Sequence, residues 1–181
     1  MTLTPTLVSP ADVMAKLARE HARAVNGHES AVIADHLYNF CITSLAVRDH
    51  VSEHLGLIGD EQRRARWNAW KPPKEVLVAH AIGNSCKHLV LRDRRSGQVR
   101  ATIDSQIAAR PTRRHYASVN DDGTPRQWQV PSVAFVIVIE GMEYDLWAFM
   151  STVREFWDRV FEGESIPYEK LPHRVHLPFV P

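Results

Sequence analysis

The sequence predicts a mainly α protein, a four-helix-type bundle with a small antiparallel β-sheet inserted before the last helix. Three long segments carry apolar residues at helical spacing, and a fourth follows a stretch in which apolar and polar residues alternate. The 181 residues, 44% hydrophobic and 24% charged, suit one globular domain and exclude disordered, collagen-like and disulfide-scaffold chains. We expect a single domain over residues 1–165, with a β insertion at about 98–146 and a proline-rich tail over 166–181.

The first two helices are predicted from their boundaries and their apolar spacing. Ser9–Pro10 supplies an N-cap and a first-turn proline for a helix over Ala11–Val25, and Asn26–Gly27 ends it. The next segment, from about Glu29 to Leu55, contains neither glycine nor proline and is apolar over much of its circumference. Such a helix is usually central in a bundle, so we expect it to contact several neighbours.

Three further helices are predicted, and the sequence signals for them differ in strength. A short basic helix is predicted over Asp60–Trp70, and Lys71–Pro73 closes it. A third long helix runs from about Lys74 to Leu91, although Gly83 in its middle weakens it. The last helix, about Trp147–Phe161, places its large apolar residues along one stripe.

The β insertion is predicted from a change of period after the third long helix. Residues Val99–Ile107 alternate between apolar and polar, which is typical of a strand. A polar loop is expected over Arg110–Arg126, followed by a second strand over Ser132–Glu140 and a short third strand near Glu143–Leu146. These strands form the expected antiparallel sheet.

The cysteines and the N-terminus indicate the compartment. Cys41 and Cys86 lie within predicted helices, and two thiols cannot make a secreted disulfide framework. The N-terminal residues lack the charged start and apolar stretch of a signal peptide, and no apolar stretch is long enough to cross a bilayer. We therefore expect a cytoplasmic protein with no membrane partner.

Charge is distributed unevenly along the chain despite a formal net charge of only +1. Between Arg63 and Arg114 there are thirteen basic residues and three acidic ones, whereas the last strand and helix are rich in Asp and Glu. This asymmetry suits an anionic partner on one face, since neutralised phosphates release counterions. It equally suits association of acidic and basic surfaces, or an ordinary solvated surface.

The first candidate site lies near the end of the second long helix, at Arg48, Asp49 and His54. This pattern resembles the signature of HEPN ribonucleases, a family of helical bundles. The resemblance implies metal-independent RNA cleavage, often in toxin or defence systems, in which Arg48 holds the scissile phosphate, His54 moves protons and Asp49 orients the pair. Positions six apart lie about 120° apart around a straight helix. Arg48 and His54 therefore converge only if the helix ends or bends, or if a homodimer completes the site; otherwise both are surface residues.

The second candidate site is a polar line on two helices. Its members can form a buried network between the helices or a phosphate-binding site, because Asn, Lys and His side chains suit either role. The segments around them resemble helical signatures of a group of small bacterial proteins, a resemblance that implies no activity. The residues are Asn39, Thr43, His80, Asn84, Lys87 and His88.

Nucleic acid, metal and protein partners remain as separate hypotheses. Trp67 and Trp70 lie beside arginines and can stack on bases. His50 and His54 have the spacing of two metal ligands, with His36 or His88 as further donors, but no third ligand is set by spacing and no cofactor is expected. The alternative function is a non-enzymatic interaction module that uses the acidic C-terminal helix or the proline-rich tail. The candidate nucleic-acid-binding residues are Arg63, Arg64, Arg66, Arg92, Arg94 and Arg95.

Overall fold

A computed structural model describes residues 7–27, 29–87, 105–120, 122–139 and 141–171, and it confirms the predicted mainly α fold class. Four of its helices form a bundle in which α2 packs against α1 and α4, and α5 contacts both of these helices. The described helices are α1 (Pro10–Asn26), α2 (Ser30–His54), α3 (Asp60–Trp70), α4 (Lys74–Lys87) and α5 (Leu146–Gly163). Among them, none is both long and apolar enough to cross a membrane.

The start of α1 follows the predicted capping signal. The Asp12 backbone N–H donates to Ser9 Oγ at 3.2 Å, and the Ser9 N–H donates to the Asp12 carboxylate at 2.9 Å. This reciprocal pair is a capping box, with Pro10 in the first turn. Hydrogen bonds from Ser9 hold the pKa of Asp12 below its usual value, so the cap is formed at neutral pH.

The glycine in α4 marks the closest approach of two helices. A Cβ added to Gly83 would lie 2.8 Å from the Cys41 carbonyl oxygen and 2.8 Å from Leu45 Cδ1, both in α2. The residue that weakens the predicted helix therefore lets α2 and α4 pack closely. Cys41 itself is a buried free cysteine, whereas the side chain of Cys86 lies outside the described part.

Helix α3 lies on the outside of the bundle, because none of its residues is fully buried. Two half-buried tryptophans attach it. Trp67 contacts the Phe156 and Trp157 rings of α5, and the Trp70 indole N–H donates to Glu164 Oε1 at 2.6 Å. The pair expected to stack on bases thus packs against the bundle.

The sheet contains β1 (Ser105–Val119), β2 (Pro125–Ile139) and β3 (Met142–Asp145), antiparallel in that order. Among the described residues, strand β3 pairs with Val136–Ile139 of β2. At this base, Ile137 is buried and the Tyr144 ring lies 6.1 Å from Phe149 of α5, which joins the sheet to the bundle. Beyond the base, β1 and β2 continue as a two-stranded hairpin.

The predicted polar loop over Arg110–Arg126 is wrong. Most of it is strand: β1 runs to Val119 and β2 begins at Pro125, and between them Gly123 has φ +82° and the Asn120 N–H bonds to the Thr124 carbonyl. The hairpin beyond its base is exposed at most described positions, so it needs no apolar face and shows no alternation. Strand β1 begins at Ser105. The first residues of the predicted Val99–Ile107 strand lie outside the described residues, as do residues 88–91 of the predicted third long helix.

The residues after α5 pack back on the bundle. Ile166 is buried, and the Arg154 guanidinium donates to the Leu171 carbonyl oxygen at 2.8 Å. The first part of the predicted tail is therefore attached to α5. Residues 172–181 lie outside the described part.

Candidate anion-binding site

The last turns of α2 and one face of α3 line a pocket of about 300 Å³, which we name the Arg48 pocket. It brings the candidate catalytic pair Arg48 and Asp49 together with the candidate nucleic-acid-binding residues Arg63 and Arg64. Its complete lining is Arg48, Asp49, Ser52, Asp60, Arg63, Arg64 and Trp67.

Contacts in the loop between the two helices set the position of α3. The Arg63 Nε–H donates to the Leu57 carbonyl at 3.2 Å, and the Ile58 N–H donates to Gln62 Oε1 at 2.9 Å. These bonds join the first turns of α3 to the loop that leaves α2. As a result, Arg63 and Arg64 face the same space as the end of α2.

Arg48 is held in place on two sides while its side chain stays 37% exposed. Its Nη2 lies 3.3 Å from Asp49 Oδ1, and its guanidinium carbon lies 5.8 Å from the centre of the Trp67 ring. A cation near an indole face is attracted by the ring's electron density. The guanidinium is thus oriented but still reachable by a ligand.

A buried chain of contacts supports Trp67 from inside the bundle. The His80 ring stacks on Trp67 at 4.9 Å, His80 Nε2 lies 3.2 Å from Ser44 Oγ, and the Trp157 indole N–H donates to that oxygen at 2.9 Å. Burial, followed by the nearby Arg48 charge, lowers the pKa of His80 to about 3. His80 is therefore a neutral packing group at neutral pH, and one wall of the pocket rests on a fixed core.

His54 is the candidate catalytic residue that does not join this pocket. It is exposed in the last turn of α2 and is not among the residues that line the Arg48 pocket. Because α2 is helical through His54, Arg48 and His54 lie about 120° apart around its axis. Within one chain, the predicted pair lies on different sides of α2.

The predicted polar line between helices divides into separate contacts. Asn39 is exposed, whereas buried Thr43 donates to the Asn39 carbonyl and accepts from Lys16 Nζ of α1 at 2.8 Å. His80 belongs to the chain behind Trp67, and Asn84 is half-buried in α4. The Lys87 side chain and all of His88 lie outside the described part.

The remaining predicted arginines do not line the Arg48 pocket. Arg66 is on α3 but pairs with Glu164 at 3.6 Å, on the other side of the helix from the Arg48 pocket. Arg92, Arg94 and Arg95 lie outside the described residues. In the part of the chain that is described, no three His, Cys, Asp or Glu residues come together as a metal site.

Sequence reasoning missed four contributors to the site. Ser52 and Asp60 line the pocket, and Ser44 and Trp157 support it from the core. Ser52 follows Arg48 by four positions and so shares its helix face, a signal that the spacing contains. Asp60 and Trp157 depend on tertiary packing, which no local pattern indicates.

No protein-family model, no curated protein and no solved structure matches this chain. The resemblance to HEPN ribonucleases therefore stays a prediction from the residues alone.

Proposed function

We propose that this protein binds RNA by holding backbone phosphate in the Arg48 pocket. The observation that carries the proposal is the meeting of Arg48 with Arg63 and Arg64 in one solvent-reachable pocket. Guanidinium groups present several donors in a planar fork and bind phosphate oxygens in pairs. Three of them around one small space match the chemistry of a phosphodiester.

The ion pairs within the pocket favour an exchangeable anion over a closed network. Arg48 is paired with Asp49, but Arg64 makes no ion pair with any described residue. Arg63 uses its Nε–H on a backbone carbonyl, which carries no charge. Two guanidinium charges are thus available to an incoming phosphate.

RNA cleavage is a narrower proposal that needs more than one chain. The HEPN resemblance requires an imidazole beside the phosphate, and His54 lies on a different side of α2 from Arg48. A homodimer in which one copy supplies His54 to the other copy's Arg48 pocket would complete the site. Any role in a toxin or defence system depends on this cleavage.

Binding is tested by fluorescence anisotropy with a labelled single-stranded RNA at several salt concentrations. Arg48→Ala, Arg63→Ala and Arg64→Ala should each weaken binding about 5- to 10-fold, and each should reduce the slope of log K against log salt by roughly 0.7. Arg19→Ala removes an exposed arginine on α1, away from the pocket, and serves as the matched control. Equal affinities for all four variants would overturn the proposal.

Cleavage is tested with the same RNA on a denaturing gel, with and without chelator. Metal-independent cleavage that is lost in Arg48→Ala and in His54→Ala supports the ribonuclease branch. Restoration of cleavage on mixing these two inactive variants would indicate that two chains share the site. Absence of RNA binding by the wild-type protein would leave the interaction-module alternative.

A further inference from the structure

A second pocket, also lined by arginines, is formed by other residues of α3 together with residues of α5. It has a volume of about 270 Å³ and includes Arg66 and Trp70 of α3 with Arg159 and Glu164 at the end of the chain's last helix. We name it the Arg159 pocket. It contains none of the residues that line the Arg48 pocket.

The two pockets are separated by a pair of tryptophans. Trp67 lines the Arg48 pocket and Trp70 lines the Arg159 pocket, and their ring centres are 6.2 Å apart in an edge-to-face arrangement. Helix α3 therefore contributes residues to both pockets, and none of its residues is fully buried.

The charges in the Arg159 pocket are arranged to leave one cation available. Both oxygens of Glu164 are engaged, one by Arg66 at 3.6 Å and the other by the Trp70 indole N–H at 2.6 Å. The Arg159 guanidinium lies 6.0 Å from the centre of the Phe156 ring and makes no ion pair with any described residue. A ring contact orients this cation without neutralising it, as Trp67 does for Arg48.

We infer that one RNA strand crosses α3 and places phosphates in both pockets, so that the ligand is a single-stranded oligonucleotide rather than a mononucleotide. This inference rests on the proposed function, because it takes the Arg48 pocket as the first phosphate site. Two anion sites on either side of one exposed helix suit a chain of linked phosphates, which gains affinity from simultaneous contact. A single phosphate can use only one of them.

Length dependence tests the inference. The affinity of the wild-type protein is compared, by competition against a labelled RNA, for UpU, which has one phosphodiester, and for a longer oligouridylate. We expect the longer RNA to bind at least about 10-fold more tightly, as linked contacts allow. Arg159→Ala should remove most of this advantage of the longer RNA, whereas Arg48→Ala should weaken the binding of both RNAs.

The matched control is Lys170→Ala, which removes an exposed cation near the end of α5 that pairs with Glu162. It should keep the length dependence of the wild-type protein. Circular dichroism verifies that each variant is folded.

Each outcome separates this inference from the proposed function. An Arg159→Ala protein with full length dependence overturns the second site while RNA binding at the Arg48 pocket stands. Failure of the wild-type protein to bind either RNA overturns both. If polyglutamate displaces the labelled RNA as efficiently as oligouridylate does, an acidic polypeptide is the ligand of the two pockets. That result would overturn the inference that an RNA strand binds there.

Discussion

Arginine serves opposite purposes at two positions of α5 that lie five residues apart. Arg154, only 3% exposed, faces α1, where its guanidinium contacts His21 Nδ1 at 3.1 Å. Arg159 is exposed and lines a pocket beside α3. The first charge is taken from water and must be matched by the protein, whereas the second remains available to a ligand. The buried interface should therefore control stability, and the surface around α3 should control binding.

Substitution of Arg154 is expected to give the largest effect in this comparison. Arg154→Met removes the contacts with His21 and with the Leu171 carbonyl, and it leaves the buried Asp158 carboxylate beside a neutral side chain. Breaking a buried charge arrangement in this way lowers the free energy of unfolding by about 3–5 kcal/mol. Urea denaturation followed by circular dichroism measures the change.

The control on the same helix is Glu155→Ala, which changes an exposed side chain. It should alter the free energy of unfolding by no more than about 0.5 kcal/mol. Equal losses for Arg154→Met and Glu155→Ala would break the distinction between the buried and exposed sides of α5.

The contacts behind Trp67 give the next effect. Ser44→Ala removes the acceptor of the Trp157 indole N–H and the neighbour of His80 Nε2, both in the core. Unsatisfied buried groups lower the free energy of unfolding by about 2–3 kcal/mol. Thermal and urea denaturation should show the loss, while RNA affinity measured under folded conditions should change less than in Arg48→Ala. If Ser44→Ala leaves the free energy of unfolding unchanged but weakens RNA binding as much as Arg48→Ala does, Ser44 belongs to the binding surface instead.

The close approach of α2 and α4 predicts a smaller loss. Gly83→Ala would place a methyl group against the Cys41 carbonyl and the Leu45 side chain, and the overpacking should lower the free energy of unfolding by about 1–2 kcal/mol. Gly163→Ala, where an added Cβ meets no atom within 4 Å, is the paired control and should not destabilise. The midpoints of urea denaturation of the two variants are compared. A Gly83→Ala protein as stable as the wild type would contradict the predicted overpacking between α2 and α4.

The pH dependence of stability provides the most specific effect, because it depends on one buried imidazole. Because the pKa of His80 is about 3 in the folded protein and near 6.5 when unfolded, the unfolded chain binds more protons between these values. The free energy of unfolding therefore keeps its full contribution from this histidine above pH 6.5. It falls as the pH drops towards 3, with a slope of at most about 1.4 kcal/mol per pH unit from this histidine. His80→Gln should flatten the slope of unfolding free energy between pH 7 and 5. His54→Gln, at an exposed position, should keep it.

Much of the helical fold can be predicted from local signals. The Ser9–Asp12 capping box, the proline pair after Lys71 and the apolar circumference of α2 place the helices within a few residues of their observed bounds. These signals act through the backbone and through neighbours in sequence. They apply before any tertiary contact is made.

The candidate site was predicted only in parts. Arg48 and Asp49 were identified from one motif and Arg63 and Arg64 from a basic segment, but nothing in the sequence specifies the side of α2 on which α3 folds back. The spacing of the motif predicts His54 in the site, but α2 is helical through His54 and places it on a different side from Arg48. The sequence predicts a loop where the hairpin lies, because an exposed ribbon lacks the one-sided apolar pattern of a buried strand.

The long hairpin carries a consequence for solubility. Beyond the four residues of β2 that pair with β3, no other described strand pairs with the outer edges of the ribbon, and unpaired strand edges invite other chains to add as further strands. Pro111 in β1 and Pro125 and Pro131 in β2 have no N–H to offer such a strand. Replacing these three prolines with valine would add three backbone N–H donors to the strands, and we expect the protein to aggregate through its strand edges.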